Sequence, residues 1–96
     1  MTTKEYLMIC LIEEGGEVIQ RVSKALRFGF QEIQKGQPLD NTQRIVYELH
    51  DLMIILELLD KELKCDPILA LHYAEKKKEK IKKYLAYSKE LGIVKD

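Results

Sequence analysis

Two sets of acidic side chains are the groups in this sequence best suited to chemistry. Glu13, Glu14 and Glu17 form the first set, and Glu48 and Asp51 form the second. A spacing of three residues within each set places two carboxylates on one face of a helix. If the two helices face each other, one pair from each set would form a cage of four carboxylates.

The second set favours such a cage because of its surroundings. An acidic triplet like the first set is, by itself, more typical of a solvated helix face. Glu48 and Asp51, however, lie in the most apolar stretch of the chain, next to Leu49 and Leu52. Carboxylates in apolar surroundings normally pair with a cation or bind a metal. Arg44, one turn before Glu48, could neutralise one carboxylate but not all of them.

The candidate ligands are all carboxylate oxygens, which decides the expected metal. His50 precedes Asp51, but on a helix it points about 100° away from it. Zinc prefers histidine and cysteine, and the Glu-x-x-His pairs of di-iron bundles are missing. Hard oxygen ligands favour Mg²⁺, with Mn²⁺ as the alternative. Because Mg²⁺ is commonly held by a few carboxylates together with substrate phosphates, we expect a phosphorylated substrate.

Two basic residues follow the first acidic set. Lys24 lies two turns after Glu17 on the same helix face and could reach a phosphate. Arg27 could grip a phosphate with two hydrogen bonds. The alternative is that both are surface charges near a helix C-terminus, where cations are favoured.

Three helices must position these side chains, because apolar residues recur at helical spacing and no strand pattern is present. We predict them over about residues 3–28, 42–63 and 67–91, and short connections favour antiparallel packing. Gly15 and Gly16 could break or kink the first helix, or let another helix approach closely. The unbroken apolar periodicity favours a continuous helix. The fold class is therefore all-α, with three main helices in a single domain over the whole chain.

The ends and the surroundings of the helices also follow from the sequence. Gly29 and Gly92 are predicted to end the first and third helices. The second helix is apolar on nearly every side, which predicts a central, buried helix. Candidate N-terminal caps are Thr2 or Thr3, then Asp40, Asn41 or Thr42, and finally Asp66.

Composition excludes several classes of function. The net charge is zero, with −4 over residues 1–60 and +4 over residues 61–96, so no overall field favours nucleic acid. No apolar run is long enough to span a membrane. Cys10 and Cys65 predict free thiols rather than a disulfide framework, and we expect a cytoplasmic location. The lysine-rich face of the third helix is more typical of a solvated surface than of a binding site.

The acidic motifs resemble those of a known family. EEGGE at residues 13–17, followed by ELHD at residues 48–51, resembles the EExxE…ExxD signature of MazG-like nucleotide pyrophosphohydrolases, in the all-α NTP pyrophosphatase superfamily. SKALRFG at residues 23–29 is similar to the SKxxRFG continuation of small, phage-type members. The resemblance covers about residues 5–65. It implies Mg²⁺-dependent hydrolysis of a nucleoside triphosphate, with a deoxynucleotide expected, to the monophosphate and pyrophosphate.

The resemblance also implies roles for the acidic residues. The positions that match the family's Mg²⁺ ligands are Glu14, Glu17, Glu48 and Asp51. Glu13 matches a further acidic position. We expect Glu13, or one of the ligands Glu14 and Glu17, to orient or deprotonate the attacking water.

Phosphate and nucleoside contacts come from other positions. By the resemblance, Lys24 and Arg27 lie near the phosphates, where Lys24 would also stabilise the departing pyrophosphate. Asn41 is a candidate contact to the base or sugar. The family further implies a homodimer or homotetramer in which helices of two subunits form a larger bundle. Gly15 and Gly16 depart from the small or apolar residues common in members.

Two other functions remain open from the sequence. The chain could be a non-catalytic helical module that regulates a partner through its lysine face. It could also be a family member that binds nucleotides without turnover.

Overall fold

A computed structural model describes all residues from 1 to 96 and contains three helices and no strands. α1 spans Thr3–Phe28, α2 spans Asn41–Leu63 and α3 spans Pro67–Glu90. The prediction of an all-α chain with three helices is confirmed. No helix combines the length and the apolar character needed to cross a membrane.

α1 is one unbroken helix, as the apolar periodicity predicted. Thr2 caps its start: the Thr2 hydroxyl accepts from the Glu5 N–H at 3.1 Å, and the Glu5 carboxylate accepts from the Thr2 N–H at 2.9 Å. Gly29 follows its end with a positive φ of 103°. A Cβ added at Gly15 or Gly16 would meet no atom within 4 Å, so no close helix approach within the chain depends on the glycine pair.

α2 begins one residue earlier than predicted because Asp40 is its cap. The Asp40 carboxylate accepts from the Gln43 N–H at 2.8 Å, and the Gln43 side-chain oxygen accepts from the Asp40 N–H at 3.0 Å. The preceding loop is tied to the start of α2, where the Asn41 N–H donates to the Glu32 carbonyl at 3.1 Å. The Thr42 N–H likewise donates to the Phe30 carbonyl at 3.0 Å.

The chain divides into two compact units, Met1–Lys64 and Cys65–Asp96. In the first unit, α1 and α2 pack against each other. The second unit contains α3, with Asp66 as cap and Pro67 in the first turn, as predicted. No residue of α3 is buried, and its ion pair between Lys78 and Glu75 spans 3.8 Å. A single domain over residues 1–96 stays a prediction.

The prediction that α2 is a central, buried helix is wrong for the single chain. Only Ala25 and Leu59 are buried apolar residues, while Val46, Met53 and Ile54 on α2 are 46%, 61% and 55% exposed. The reason is that, within the first unit, α1 covers one face of α2. The sequence pattern therefore describes a helix with more apolar surface than one neighbour can cover.

Candidate metal centre

Three acidic side chains meet where α1 packs against α2. Glu14 from α1 and Glu48 and Asp51 from α2 each offer one carboxylate oxygen, and these oxygens all lie within 4.8 Å of one another. Glu14 and Glu48 are half-buried and Asp51 is exposed. We call these three residues the carboxylate cluster.

The α1 face that packs on α2 explains why Glu14 belongs to the cluster. The more buried positions of α1 recur every three or four residues and are Leu7, Cys10, Leu11, Glu14, Gly15, Val18, Arg21, Lys24 and Ala25. On α2, the spacing of three residues turns Glu48 and Asp51 toward the same side. The packing of the apolar stripes of α1 and α2 therefore places these carboxylates at the interface between the two helices.

The environment raises the pKa of Glu48 above its ordinary value of 4.5. Burial is the largest cause, because it removes water from the charged form. Repulsion from Glu17, Asp51 and Glu14 acts in the same direction, and Arg21 acts against it. The carboxylates thus stand close enough to repel one another, which is the situation that a bound cation relieves.

Glu17 lies at the edge of the cluster. It is exposed, and its oxygens are not part of the group within 4.8 Å. Its effect on the pKa of Glu48 nevertheless places it nearby. The structure therefore brings three of the four predicted ligands together, with the fourth one turn further along α1.

The other predicted site residues do not touch the carboxylates. Glu13 is exposed, and the helix turns it about 100° away from Glu14. Lys24 is half-buried on the α1 face that packs on α2. Arg27 is exposed, with its guanidinium 4.8 Å from the centroid of the Phe28 ring. Neither cation forms an ion pair with an acidic side chain.

Asn41, a predicted substrate contact, has a structural place in this chain. It is only 1% exposed, and its amide nitrogen donates to the Gly29 carbonyl at 2.8 Å and to the Glu32 carboxylate at 3.2 Å. It also lies seven residues before Glu48, which is about 10 Å along a helix axis. Its amide nitrogen thus holds the loop between α1 and α2.

His50 was expected to lie outside the ligand set, and it does not join the cluster. It is exposed, and its Nδ1 lies 2.8 Å from the Val46 carbonyl of the preceding turn. Because a carbonyl only accepts, Nδ1 carries the proton in this contact.

Arg21 is the residue that the sequence reasoning missed. Its side chain is 8% exposed, and its Nε and Nη1 atoms are buried without a hydrogen-bond partner. It lies one turn after Glu17 and two turns after Glu14 on α1, and it lowers the pKa of Glu48. The signal that could have revealed it is its place on one helical stripe with Glu14, Val18 and Ala25.

The donor set of the cluster fits a hard divalent cation. Its ligand atoms are carboxylate oxygens only, which suits Mg²⁺ or Mn²⁺ rather than Zn²⁺. No family model, curated protein or solved structure matches the chain. The MazG-like resemblance therefore remains a prediction that depends on the acidic motifs and on the residues that follow them.

Proposed function

We propose that this chain is a Mg²⁺-dependent nucleoside triphosphate pyrophosphohydrolase of MazG-like type, with a deoxynucleotide as its expected substrate. The observation that carries the proposal is the convergence of Glu14, Glu48 and Asp51 from two helices, with oxygens within 4.8 Å of one another. The same residues belong to the acidic motifs that resemble the family signature.

The carboxylate cluster would hold the cation. Glu17, which is exposed, would complete the ligand set after a change of its side-chain rotamer. Mn²⁺ suits the same oxygen donors. When bound, the ion would neutralise phosphate charge and make a water molecule more acidic. The repulsion among the carboxylates supports this assignment, because a bound cation would attract each carboxylate and offset their repulsion.

The chain's own residues would carry out the rest of the reaction. Glu13 or Glu17 would orient the attacking water and take its proton. The water oxygen would bond to the α-phosphorus as the bond to the bridging oxygen breaks, and pyrophosphate would leave. Lys24 and Arg27 would bind the phosphates and stabilise the leaving charge. We omit Asn41 from this set, because its amide nitrogen already makes two hydrogen bonds.

We further propose a homodimer or homotetramer with antiparallel helices. Large apolar side chains on both helices of the first unit support it, among them Ile12 and Ile19 on α1 at 74% and 72% exposure. A second copy packed on them would bury this surface, which favours association. Both cysteines are free, which suits a reducing compartment such as the cytoplasm.

A pyrophosphate-release assay across deoxynucleoside and nucleoside triphosphates tests the activity. We expect pyrophosphate, and not orthophosphate, to appear with Mg²⁺ and to stop with EDTA. Asp51→Asn should lower kcat/KM by at least about 100-fold, because the ion loses a charged ligand. Glu57→Gln, an exposed position on the same helix, should leave it within about twofold. Turnover in EDTA, or full activity of Asp51→Asn, would exclude the proposed site.

A second candidate is a helical interaction module without catalysis. The observation that favours it is α3, which has no buried residue and exposes its lysines. This candidate predicts equal melting temperatures with and without Mg²⁺, whereas a metal-binding site raises the stability of the folded chain. A member that binds nucleotides without turnover would show the metal effect but release no pyrophosphate.

A further inference from the structure

Arg21 is the most unusual polar side chain of the molecule. It is 92% buried, since its exposure is 8%, and neither Nε nor Nη1 has a hydrogen-bond partner. Guanidinium groups in protein interiors normally make several hydrogen bonds, because desolvation of an unpaired cation is costly. The position therefore needs an explanation beyond packing.

The carboxylates nearby do not supply a partner. The ion pair of the chain joins Lys78 and Glu75, so no acidic oxygen lies within 4.0 Å of the Arg21 nitrogens. The charge of Arg21 nevertheless lowers the pKa of Glu48. Arg21 lies two turns after Glu14, and it shares with Glu14 the α1 face that packs on α2. The guanidinium and the carboxylate cluster therefore occupy the same face of α1 without forming an ion pair with each other.

A ligand that satisfies both groups must offer a cation to the carboxylates and an anionic oxygen to the arginine. A phosphate group that shares oxygens with the bound cation has this chemistry, since guanidinium binds phosphate with strong, charge-assisted hydrogen bonds. We propose that Arg21 binds a phosphate oxygen of the metal-bound substrate, which makes it a substrate-binding residue of the site. This inference rests on the proposed metal site and names a phosphate contact that the acidic motifs do not include.

Arg21 suits this task better than the two basic residues that follow it. Arg27 is exposed, with its guanidinium over the Phe28 ring, and it is ten residues further than Glu17 along α1. Arg21 is four residues from Glu17. The long, flexible stem of arginine lets the guanidinium reach the ligand without backbone movement, and its unpaired N–H groups gain by doing so.

Calorimetric titration with inorganic pyrophosphate at saturating Mg²⁺ tests the proposal. Arg21→Met keeps the aliphatic part of the side chain and removes a buried cation that has no ion-pair partner, whose desolvation is costly. We expect Arg21→Met to bind Mg²⁺ within about twofold of the wild type and pyrophosphate about 10- to 100-fold more weakly. Arg21→Lys should lie between the two. The matched control is Arg44→Met, which removes a half-buried arginine bonded to Gln34 at 3.0 Å.

A measurement on the wild-type chain does not depend on how the variants fold. The NMR signal of the Arg21 Nε–H should shift when pyrophosphate is added to the Mg²⁺-loaded protein. An unchanged signal, or unchanged pyrophosphate affinity in Arg21→Met, overturns the proposal. Altered Mg²⁺ affinity with unchanged pyrophosphate affinity also overturns it, because Arg21 would then be a counter-ion of the carboxylates.

The outcome is separable from that of the proposed enzyme. Pyrophosphate binding that depends on Arg21, without pyrophosphate release from any nucleotide, would remove the catalytic proposal and keep this one. Release that does not depend on Arg21 would do the reverse.

Discussion

Asn41 and Arg21 are the two buried polar side chains of the chain, and they differ in their hydrogen bonds. The Asn41 amide nitrogen donates to Gly29 and Glu32, whereas two nitrogens of Arg21 donate to nothing. A buried polar group with its partners in place stabilises the fold. One without partners costs stability and is better explained by a ligand. The comparison separates Asn41, which stabilises the loop between α1 and α2, from Arg21, whose N–H groups we propose bind a phosphate.

The largest effect we expect is loss of metal binding at the carboxylate cluster, the site to which we assign Arg21. Glu48→Gln should abolish the rise in melting temperature that Mg²⁺ gives the wild type, because a half-buried ligand of the cluster loses its charge. At 100 times the dissociation constant, that rise corresponds to about 2.7 kcal/mol. Differential scanning fluorimetry with Mg²⁺ or EDTA measures it, and Glu57→Gln serves as the matched control. An equal metal response in Glu48→Gln would contradict the site.

Removal of the Asn41 amide should cost almost as much, but in every buffer. Asn41→Ala removes the donor to the Glu32 carboxylate and the shorter of the two hydrogen bonds to the Gly29 carbonyl, and we expect a loss of about 2 kcal/mol in unfolding free energy. For a chain of this size that lowers the Tm by roughly 8–16 °C. Urea unfolding measures the loss, and Gln37→Ala, an exposed position in the same loop, should change stability by less than about 0.5 kcal/mol. A neutral Asn41→Ala would contradict the structural role.

The pH dependence of stability tests the repulsion among the carboxylates near Arg21. Because the pKa of Glu48 is raised above 4.5 in the folded chain, the folded state holds its proton more tightly than the unfolded state. The contribution of Glu48 to stability is therefore complete below pH 4.5 and is lost as the pH rises through the raised value. In EDTA, Glu48→Gln should become more stable relative to the wild type between pH 4 and pH 7. A difference that stays constant across this range would contradict repulsion within the cluster.

The smallest expected effect concerns the helix that carries Arg21. Gly16→Ala should stabilise the chain by about 0.5–1 kcal/mol, since alanine favours helix and a Cβ there meets no atom within 4 Å. Gly92→Ala, at a positive φ of 74°, should instead destabilise it. Urea unfolding distinguishes them. A destabilised Gly16→Ala chain would indicate that a second copy packs closely on this part of α1.

Most of the fold could be predicted because it depends on local signals. The caps at Thr2 and Asp66 and the glycine after α1 are short-range features that a sequence displays directly. Glu48 and Asp51 were conspicuous because carboxylates are rare in so apolar a helix. The spacing of three residues placed two acidic side chains on one face of α1, whereas the meeting of Glu14 with Glu48 and Asp51 depends on how α1 packs on α2.

The remainder depends on packing between helices, which no local pattern contains. Arg21 resembles any surface arginine until α2 is laid against α1, and Asn41 resembles a solvated cap candidate until the loop folds back on it. The burial of α2 was overestimated for the same reason, since the apolar pattern of a helix does not show how many neighbouring helices cover it.

The capping of the helices has a consequence for anion recognition. Free N–H groups at a helix start commonly attract phosphate. In this chain each helix start already carries a side chain with negative charge: Glu5 in the capping box of α1, Asp40 at α2 and Asp66 at α3. A phosphate approaching any of these ends meets repulsion from that carboxylate, and a capping side chain already accepts from the N–H of Glu5, Gln43 or Ile68. Anion binding at the three helix starts is therefore weakened, so substitution of arginine and lysine side chains should have the larger effect on anion affinity.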